Sequence, residues 1–515
     1  MSTRGSIAAG LVVVAAAGPA AASSGLDSPE SGVTQVGRGG AWVARADDPL
    51  AAYFNPAALA TQASGVHLGV HLMMMNQCFT RRGPGDTPVP PSASAPGTFP
   101  APGMPGGPPA EVCSEGGVFP NPQIAGTLRI TEDIAVGLAV LGPHGVGSRR
   151  WPETVTEEGG ATQPAPNRYL LVSSDSLIMM PTLSLSVALT PELSVGAGFI
   201  WGVGSLDVLN FSEATSSPGG DDFNAHQDLR SRLRAVDAFV PGFVLGGLWS
   251  PASRVDVGAW FKWQDAIRAS THLTIESIYW STSGRKNEER CTGREPDCNV
   301  TDQEDAGTFE LAIPMEARLG VRYHHPRAGS ERPGWAAGGR RVRDPLSEDL
   351  FDLEVDFTWA NNSAVDAIEV RFKPNAIPVK DTPGFVPENA DIPHEWRDVF
   401  GVRVGGDFVV LPNLLALRAG GFYETKGQDD AYLNLDFHLG WRAGLAGGAT
   451  ARIGPVDLSV AYQHTFYGAL DNRGEGAVKA LSGDAATGYR SVQSVNGGRL
   501  ESSLNEVALS GTLRF

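Results

Sequence analysis

The sequence predicts an all-β chain: a transmembrane antiparallel β-barrel of about 14 strands with an N-terminal hatch of short helical turns in its lumen. Three observations lead there. Apolar and polar residues alternate with period two in one stretch after another, which gives each strand one apolar and one polar face. Tight turns alternate with long loops along the chain, as they do when one end of a barrel is trimmed and the other elaborated. No run of ~18 or more apolar residues follows the leader, so a helical membrane protein is excluded, whereas alternation dilutes the membrane face of a barrel.

The chain has 515 residues, a net charge of −17 and 63 glycines. Its pI is near 5.1. The length alone suggests several domains, but barrels run long as single units. The negative balance argues against nucleic acid, since nothing here would neutralise phosphates. Met1-Ser2-Thr3-Arg4 precedes an apolar run from Ile7 to Ala17, and Ala20-Ala21-Ala22 supplies a small-residue cleavage site. Residues 1–22 therefore read as a signal peptide and the mature chain as exported. Residues 23–62 form the expected hatch and 63–515 the barrel.

Within the hatch, Gly37-Arg38-Gly39-Gly40-Ala41 opens a small-residue stretch with Asp47 and Asp48 at its middle and Asn55-Pro56-Ala57 at its close. Asn before Pro favours a turn, and Pro56 sets its own φ without offering an N–H. The stretch suits a compact plug of short helical turns; it also suits an amphipathic helix ending in a turn.

From Gly65 the chain alternates. Val66, Leu68, Val70, Leu72 and Met74 take one parity, His67 and His71 the other. Leu183 to Leu189 repeats the pattern, as do Leu311, Ile313, Met315, Ala317, Leu319, Val321 and Tyr323, read as one face of one strand. Phe351, Leu353, Val355, Phe357 and Trp359 interleave with Asp352, Glu354 and Asp356. Strands are expected near 65–78, 120–131, 134–147, 170–189, 193–207, 229–249, 254–277 and 307–325. Others are expected near 348–360, 396–410, 414–425, 432–452, 456–467 and 501–515. Tight turns fall at Thr131-Glu132-Asp133, Thr190-Pro191-Glu192, Ser250–Ser253, Leu411-Pro412-Asn413 and Ile453-Gly454-Pro455. Two connections break the rule: 326–347 is long where a short turn is due, and 426–431 is short where a loop is due.

The cysteines form two neighbouring pairs, Cys78 with Cys113 and Cys291 with Cys298, each expected in a long loop. An even count in an exported chain reads as disulfides, and no Cys-x-x-Cys or adjacent His cluster suggests metal. The segment from Arg81 to Pro109 is rich in Pro, Gly and Ser and reads as a solvated loop. The chain stops at Phe515 in mid-alternation, which resembles the C-terminal signal read by the barrel-assembly machinery of Gram-negative bacteria.

The hatch stretch resembles that of the FadL-type outer-membrane transporters: a Gly-rich start, a small-residue run with an acidic pair, then Asn55-Pro56-Ala57. Pro314 through Tyr323, Trp396-Arg397-Asp398 with Arg403-Val404-Gly405, and Leu417-Arg418-Ala419-Gly420-Gly421-Phe422-Tyr423, which carries an extra Gly, are similar to strands of that family and stand in its order. Gly142-Pro143-His144-Gly145 departs from the family's Pro-Phe-Gly at His144, and the long loops match nothing. The resemblance implies an outer-membrane channel that takes up long-chain fatty acids or other hydrophobic compounds passively. It implies ligand capture, hatch movement around Asp47, Asp48, Asn55, Pro56 and Ala57, and lateral exit into the membrane. Both termini would be periplasmic, and outer-membrane lipids and lipopolysaccharide would be partners.

Enzyme signatures are absent: there is no Gly-x-Ser-x-Gly elbow or P-loop, and His394-Glu395 lacks the second His of a zinc protease. No cofactor is expected. Glu316, Arg318, Arg322, Asp352, Glu354, Asp356, Arg403, Asp407 and Arg418 share the polar parity of their strands. They either line a wet porin channel or hold a plug through hydrogen bonds and ion pairs, some of them to Arg45, Asp47 or Asp48. Tyr53 and Phe54 are candidate ligand neighbours. A general or substrate-specific porin, and a surface structural or adhesion barrel, are the competing readings.

Overall fold

The computed structural model describes residues 32–82, 110–142, 148–156, 162–213, 228–276, 300–329, 342–374, 377–378, 386–481 and 490–515. Its barrel strands are β1 (Gly65–Arg81), β2 (Phe119–Arg129), β3 (Ile134–Val140), β4 (Thr182–Ala188), β5 (Leu193–Glu213), β6 (Asp228–Ala252) and β7 (Val255–Gln264). They continue with β8 (Glu316–Pro326), β9 (Asp349–Ala360), β10 (Val399–Leu411), β11 (Leu415–Glu424), β12 (Arg442–Ile453), β13 (Val456–Tyr467) and β14 (Gly498–Arg514). Each strand pairs antiparallel with its neighbours in sequence, and β14 returns to β1 from Gly65 opposite Arg514 to Arg81 opposite Gly498. The expected closed 14-strand barrel is present, with no open edge at the seam.

Alternation sorts the side chains as the sequence predicts. Val66, Leu68, Leu183, Leu319, Phe357 and Leu445 point outward, while His67, His71, Asp352, Glu354 and Asp356 are buried inside. Outward aromatics mark two levels. Trp201 with Phe239 and Phe243 with Trp263 are in contact toward the loop end, and Tyr323 with Phe351 toward the turn end. An apolar band between aromatic girdles is how a barrel meets a bilayer.

Three expectations are corrected. Leu311 and Ile313 do not share a face with Leu319 and Val321: the former are buried and the latter exposed. The strand is broken at Ala312–Met315, where Pro314 cannot donate to a ladder, and Gly307–Leu311 resumes the sheet with the opposite parity. The neighbouring strand breaks at Asp265-Ala266, between β7 and Ile267–Glu276, and also changes face. Second, the segment 432–441 is not strand. Its alternating Leu433, Leu435, Phe437 and Leu439 are all buried as the chain folds inward at the loop end, so β12 starts at Arg442. Third, Cys78 and Cys113 lie within paired strands, β1 and Glu111–Cys113, where they are directly opposed and disulfide-bonded. Cys291 and Cys298, the leader and most of the Pro-rich loop lie outside the described residues.

Five of the connections at the turn end are short. The long one between β8 and β9 carries a short helix, Pro345–Glu348, and reaches back under the lumen. There Arg343 donates to Asp256 (3.0 Å) and Ser250 (2.7 Å), and its N–H to the carbonyl of Thr61.

Candidate functional site

Inside the barrel the hatch runs through α1 (Val33–Gly37), α2 (Ala51–Phe54) and a 3₁₀ turn, Pro56–Thr61. None of the three is long enough to be stable alone, so the wall must hold them. Asn55 caps the 3₁₀ turn: its side-chain oxygen accepts from the Ala57 N–H while its amide donates to the carbonyls of Val43 (2.7 Å) and Gly247 (3.2 Å). The Asn-Pro-Ala signature is thus a clamp joining two hatch segments to β6.

Three cross-strand glycine pairs form the seat: Gly196 opposite Gly246, Gly258 opposite Gly320, and Gly405 opposite Gly420. Hatch backbone lies flat on each. A Cβ on Gly196 would stand 2.4 Å from the carbonyl carbon of Pro56, one on Gly258 2.4 Å from the Val43 oxygen, and one on Gly405 or Gly420 2.1 Å from the Arg38 oxygen. Nothing larger than glycine fits there. Gly39 of the hatch adds a left-handed turn, φ 60°, against Gly421.

Carboxylates then fix the seated chain. Residues 42–46 make a turn, closed by the Ala46 N–H on the Trp42 carbonyl, that leaves the N–H groups of 42–44 to the wall. Asp356 accepts from the N–H of Trp42 (2.8 Å) and Val43 (3.0 Å), and Glu354 from that of Ala44 (2.7 Å). Arg38 donates to Asp352 (2.7 Å), Asp407 (2.8 Å) and Glu354 (3.1 Å) with its side chain fully buried. Arg45 reaches Asp352 (2.8 Å), Asp407 (3.1 Å) and Asp47 (2.9 Å). Arg322 joins Asp352 to Asp349 and Asp256, and Arg418 contacts Asp407. Arg403 pairs with Glu424 at 2.7 Å. Glu316 takes Lys262, and the Arg318 guanidinium stands over the rings of Phe54 and Trp260.

The lumenal charges therefore meet the hatch through Arg45, as the sequence suggests, and through Arg38, which sequence reasoning passed over. Its only signal in the sequence is its place, a lone charge among glycines at the start of the hatch; in the structure Arg45 shares its partners Asp352 and Asp407. Burial works against the Arg38 charge, but Asp352 and Asp407 outweigh it and hold its pKa above the ordinary arginine value. Burial likewise opposes the Asp47 charge, yet Arg45 holds that carboxyl well below its usual range.

Asp48 is different. Burial and then the charge of Asp47 push its pKa up to about 7, against which the Leu50 N–H, 2.9 Å away, acts only in part. Its contribution to the docked state is fully favourable below the unfolded value of 3.8 and is lost as pH rises through about 7. Asp48→Asn keeps an acceptor for Leu50 and removes the charge. It is expected to stabilise the protein by roughly 1–3 kcal/mol at pH 8 and by roughly half of that or less at pH 5. Thermal melting at the two pH values checks this; an equal gain at both would contradict it.

Tyr53 and Phe54 are buried between hatch and wall, with ring centroids 5.9 and 6.3 Å from that of Trp260, whose indole N–H donates to the Tyr53 carbonyl (2.7 Å). From them one apolar cluster rises along the lumen through Ile200, Leu206, Ile267 and Phe309 to Ile368 and Phe437. At its loop end lies a cavity whose apolar lining includes Leu170, Leu206, Leu233, Phe309, Ile368 and Phe437. Arg149 and Asp436 also line it. Asp436 accepts from His394, whose other ring nitrogen donates to the carbonyl of Ile392, so both nitrogens face acceptors. Burial disfavours that imidazolium, but Asp436 outweighs it and raises the His394 pKa. Tyr53 and Phe54 form the floor beneath this cavity and are not among its lining residues.

No family model and no curated protein matches the chain. Solved structures do. A Pseudomonas aeruginosa FadL homologue is 20% identical with a TM-score of 0.66, covering 96% of this chain and 100% of that one. The P. putida toluene transporter TodX is 14% identical with a TM-score of 0.60, covering 95% and 99%. The Ralstonia pickettii toluene transporter TbuX is also 14% identical, with a TM-score of 0.54, covering 94% and 98%. Over nearly its whole length, this chain has the FadL-type fold.

Proposed function

We propose that this protein is an outer-membrane channel for the passive uptake of hydrophobic compounds, with its turn end in the periplasm. The observation that carries the reading is the apolar cavity above a hatch seated by buried ion pairs, joined to it by one continuous apolar cluster. The cavity itself is small, about 50 Å³, so an alkyl chain enters by parting its apolar lining, whereas a general porin needs a wet lumen. Arg149 and the His394–Asp436 pair at the cavity's end favour a compound with a polar end, such as a fatty acid, over a bare hydrocarbon.

Exit is proposed to be lateral, at β2. Its pairing with β3 begins only at Ile124, opposite Val140, and beyond that point the edge has no strand partner among the described residues. Pro120 and Pro122 stand there at alternate positions, and proline belongs where a strand edge is unpaired. A ligand leaving between strands avoids water, at about 0.8 kcal/mol per CH₂.

Equilibrium binding of radiolabelled oleate and hexylbenzene to the purified barrel tests the reading. Saturable binding that falls at least about tenfold in Leu233→Arg is expected, since a charge in an apolar cavity is costly. A barrel that binds neither compound and conducts ions in large steps would be a porin.

A further inference from the structure

The inner faces of β1 and β2 carry polar side chains that neither the hatch nor the cavity uses. α1 packs chiefly on β12, β13 and β14, and α2 with the 3₁₀ turn on β3 to β6, so these helical turns flank the β1–β2 wall. On that wall His67 and Gln123 are each 1% exposed. His67 uses Nδ1 for the Thr512 hydroxyl (2.8 Å), but among the described residues its Nε2 has no partner, and neither does either end of the Gln123 amide. Gln123 pairs across the strands with Gly69. A Cβ on Gly69 would lie 3.1 Å from His67 Nε2 and 3.5 Å from Gln123 Oε1, so the glycine leaves a notch on which both groups converge. One row above, the wall is satisfied: His71 binds Glu506 and accepts from the Gly32 N–H at 3.0 Å. Buried polar atoms are seldom left unpaired, and here they face each other beside the unpaired edge of β2.

We infer that His67 and Gln123 form a polar subsite on the exit path that takes the hydroxyl head of an amphiphile. A hydroxyl both donates and accepts, which matches an imidazole nitrogen beside an amide carrying both an acceptor and a donor. A site built to hydrogen-bond a hydroxyl rejects the analogue that lacks one, since its own buried groups are then left unpaired. The inference rests on the channel reading above and names the cargo it passes: alkylphenols and alkanols ahead of alkylbenzenes of equal length.

Photolabelling tests it. A 4-alkylphenol with a diazirine beside the ring, and the matching alkylbenzene, are crosslinked to the intact protein, and labelled peptides are mapped by mass spectrometry. The expected result is label on peptides from 65–81 and 119–129 about tenfold higher for the phenol, with both probes labelling the cavity strands. Gln123→Met and, separately, His67→Phe should abolish that excess while cavity labelling persists, which also shows that each variant has folded. Equal labelling of β1 and β2 by both probes, or an excess that survives both substitutions, overturns the subsite and leaves the channel reading standing. Absence of label anywhere in the lumen overturns both.

Discussion

Arg38→Ala is expected to convert a nearly silent barrel into one that conducts ions steadily. The wild-type guanidinium donates to Asp352, Glu354 and Asp407 at once, all with side chains at most 3% exposed. Removing one partner of a buried ion pair leaves an uncompensated charge and costs roughly 3–5 kcal/mol. Wall carboxylates cannot move, so the seat would repel the hatch. Deletion of residues 32–60 should give the same conductance, which identifies displacement of the plug as the cause. Arg82→Ala is the control. Its partner Asp471 is 3.4 Å away and both side chains are about a third exposed, where a pair contributes roughly 0–1 kcal/mol. Single-channel recording in a planar bilayer decides; an Arg38 variant as quiet as wild type would sink the idea that these pairs hold the hatch.

Substituting the glycine seat should release the hatch without touching a charge. Gly405→Ala would bring a methyl group to 2.1 Å from the Arg38 carbonyl oxygen, and Gly196→Ala one to 2.4 Å from the Pro56 carbonyl carbon. Both clashes are with backbone, which no rotamer change relieves. Each is expected to cost at least about 1–3 kcal/mol of docking, and the two together roughly the sum, because they act on separate parts of the hatch. Limited proteolysis of the folded barrel would then cut within 32–62. Gly447→Ala, whose nearest atom would be 3.7 Å away, should remain resistant. Equal resistance in all three variants would show that the hatch yields without leaving its seat.

These two expectations rest on features of unequal legibility. The strands are written in local alternation, and Asp352, Glu354 and Asp356 announce a polar inner face because consecutive outward positions between them are Leu353 and Val355. The tight turns are equally local. The face changes at Asp265-Ala266 and Ala312–Met315 are not, since the apolar parity resumes on the far side of each, from Trp263 to Ile267 and from Leu311 to Leu319. The glycine pairs are harder still. Gly405 and Gly420 are fifteen positions apart, and only the register of β10 against β11 makes them opposite. Arg38 read as part of a glycine-rich start because its three partners are supplied by two distant strands. His67 and Gln123 look like ordinary lumenal residues until the register sets Gln123 opposite Gly69, beside His67.

The separation between the hatch and its partners has a consequence for how the chain is built. Arg38 lies 314 positions before Asp352 and 369 before Asp407. The hatch is therefore made first and neutralised late, because its counter-charges exist in place only once β9 and β10 are registered side by side. Contacts of such span form slowly, after shorter ones have been made. The same two late strands must be complete before β14 can reach β1 and close the wall along all 17 residues of β1. Plug docking thus reports on assembly: a barrel with β9 or β10 out of register offers its arginines no home and stays open.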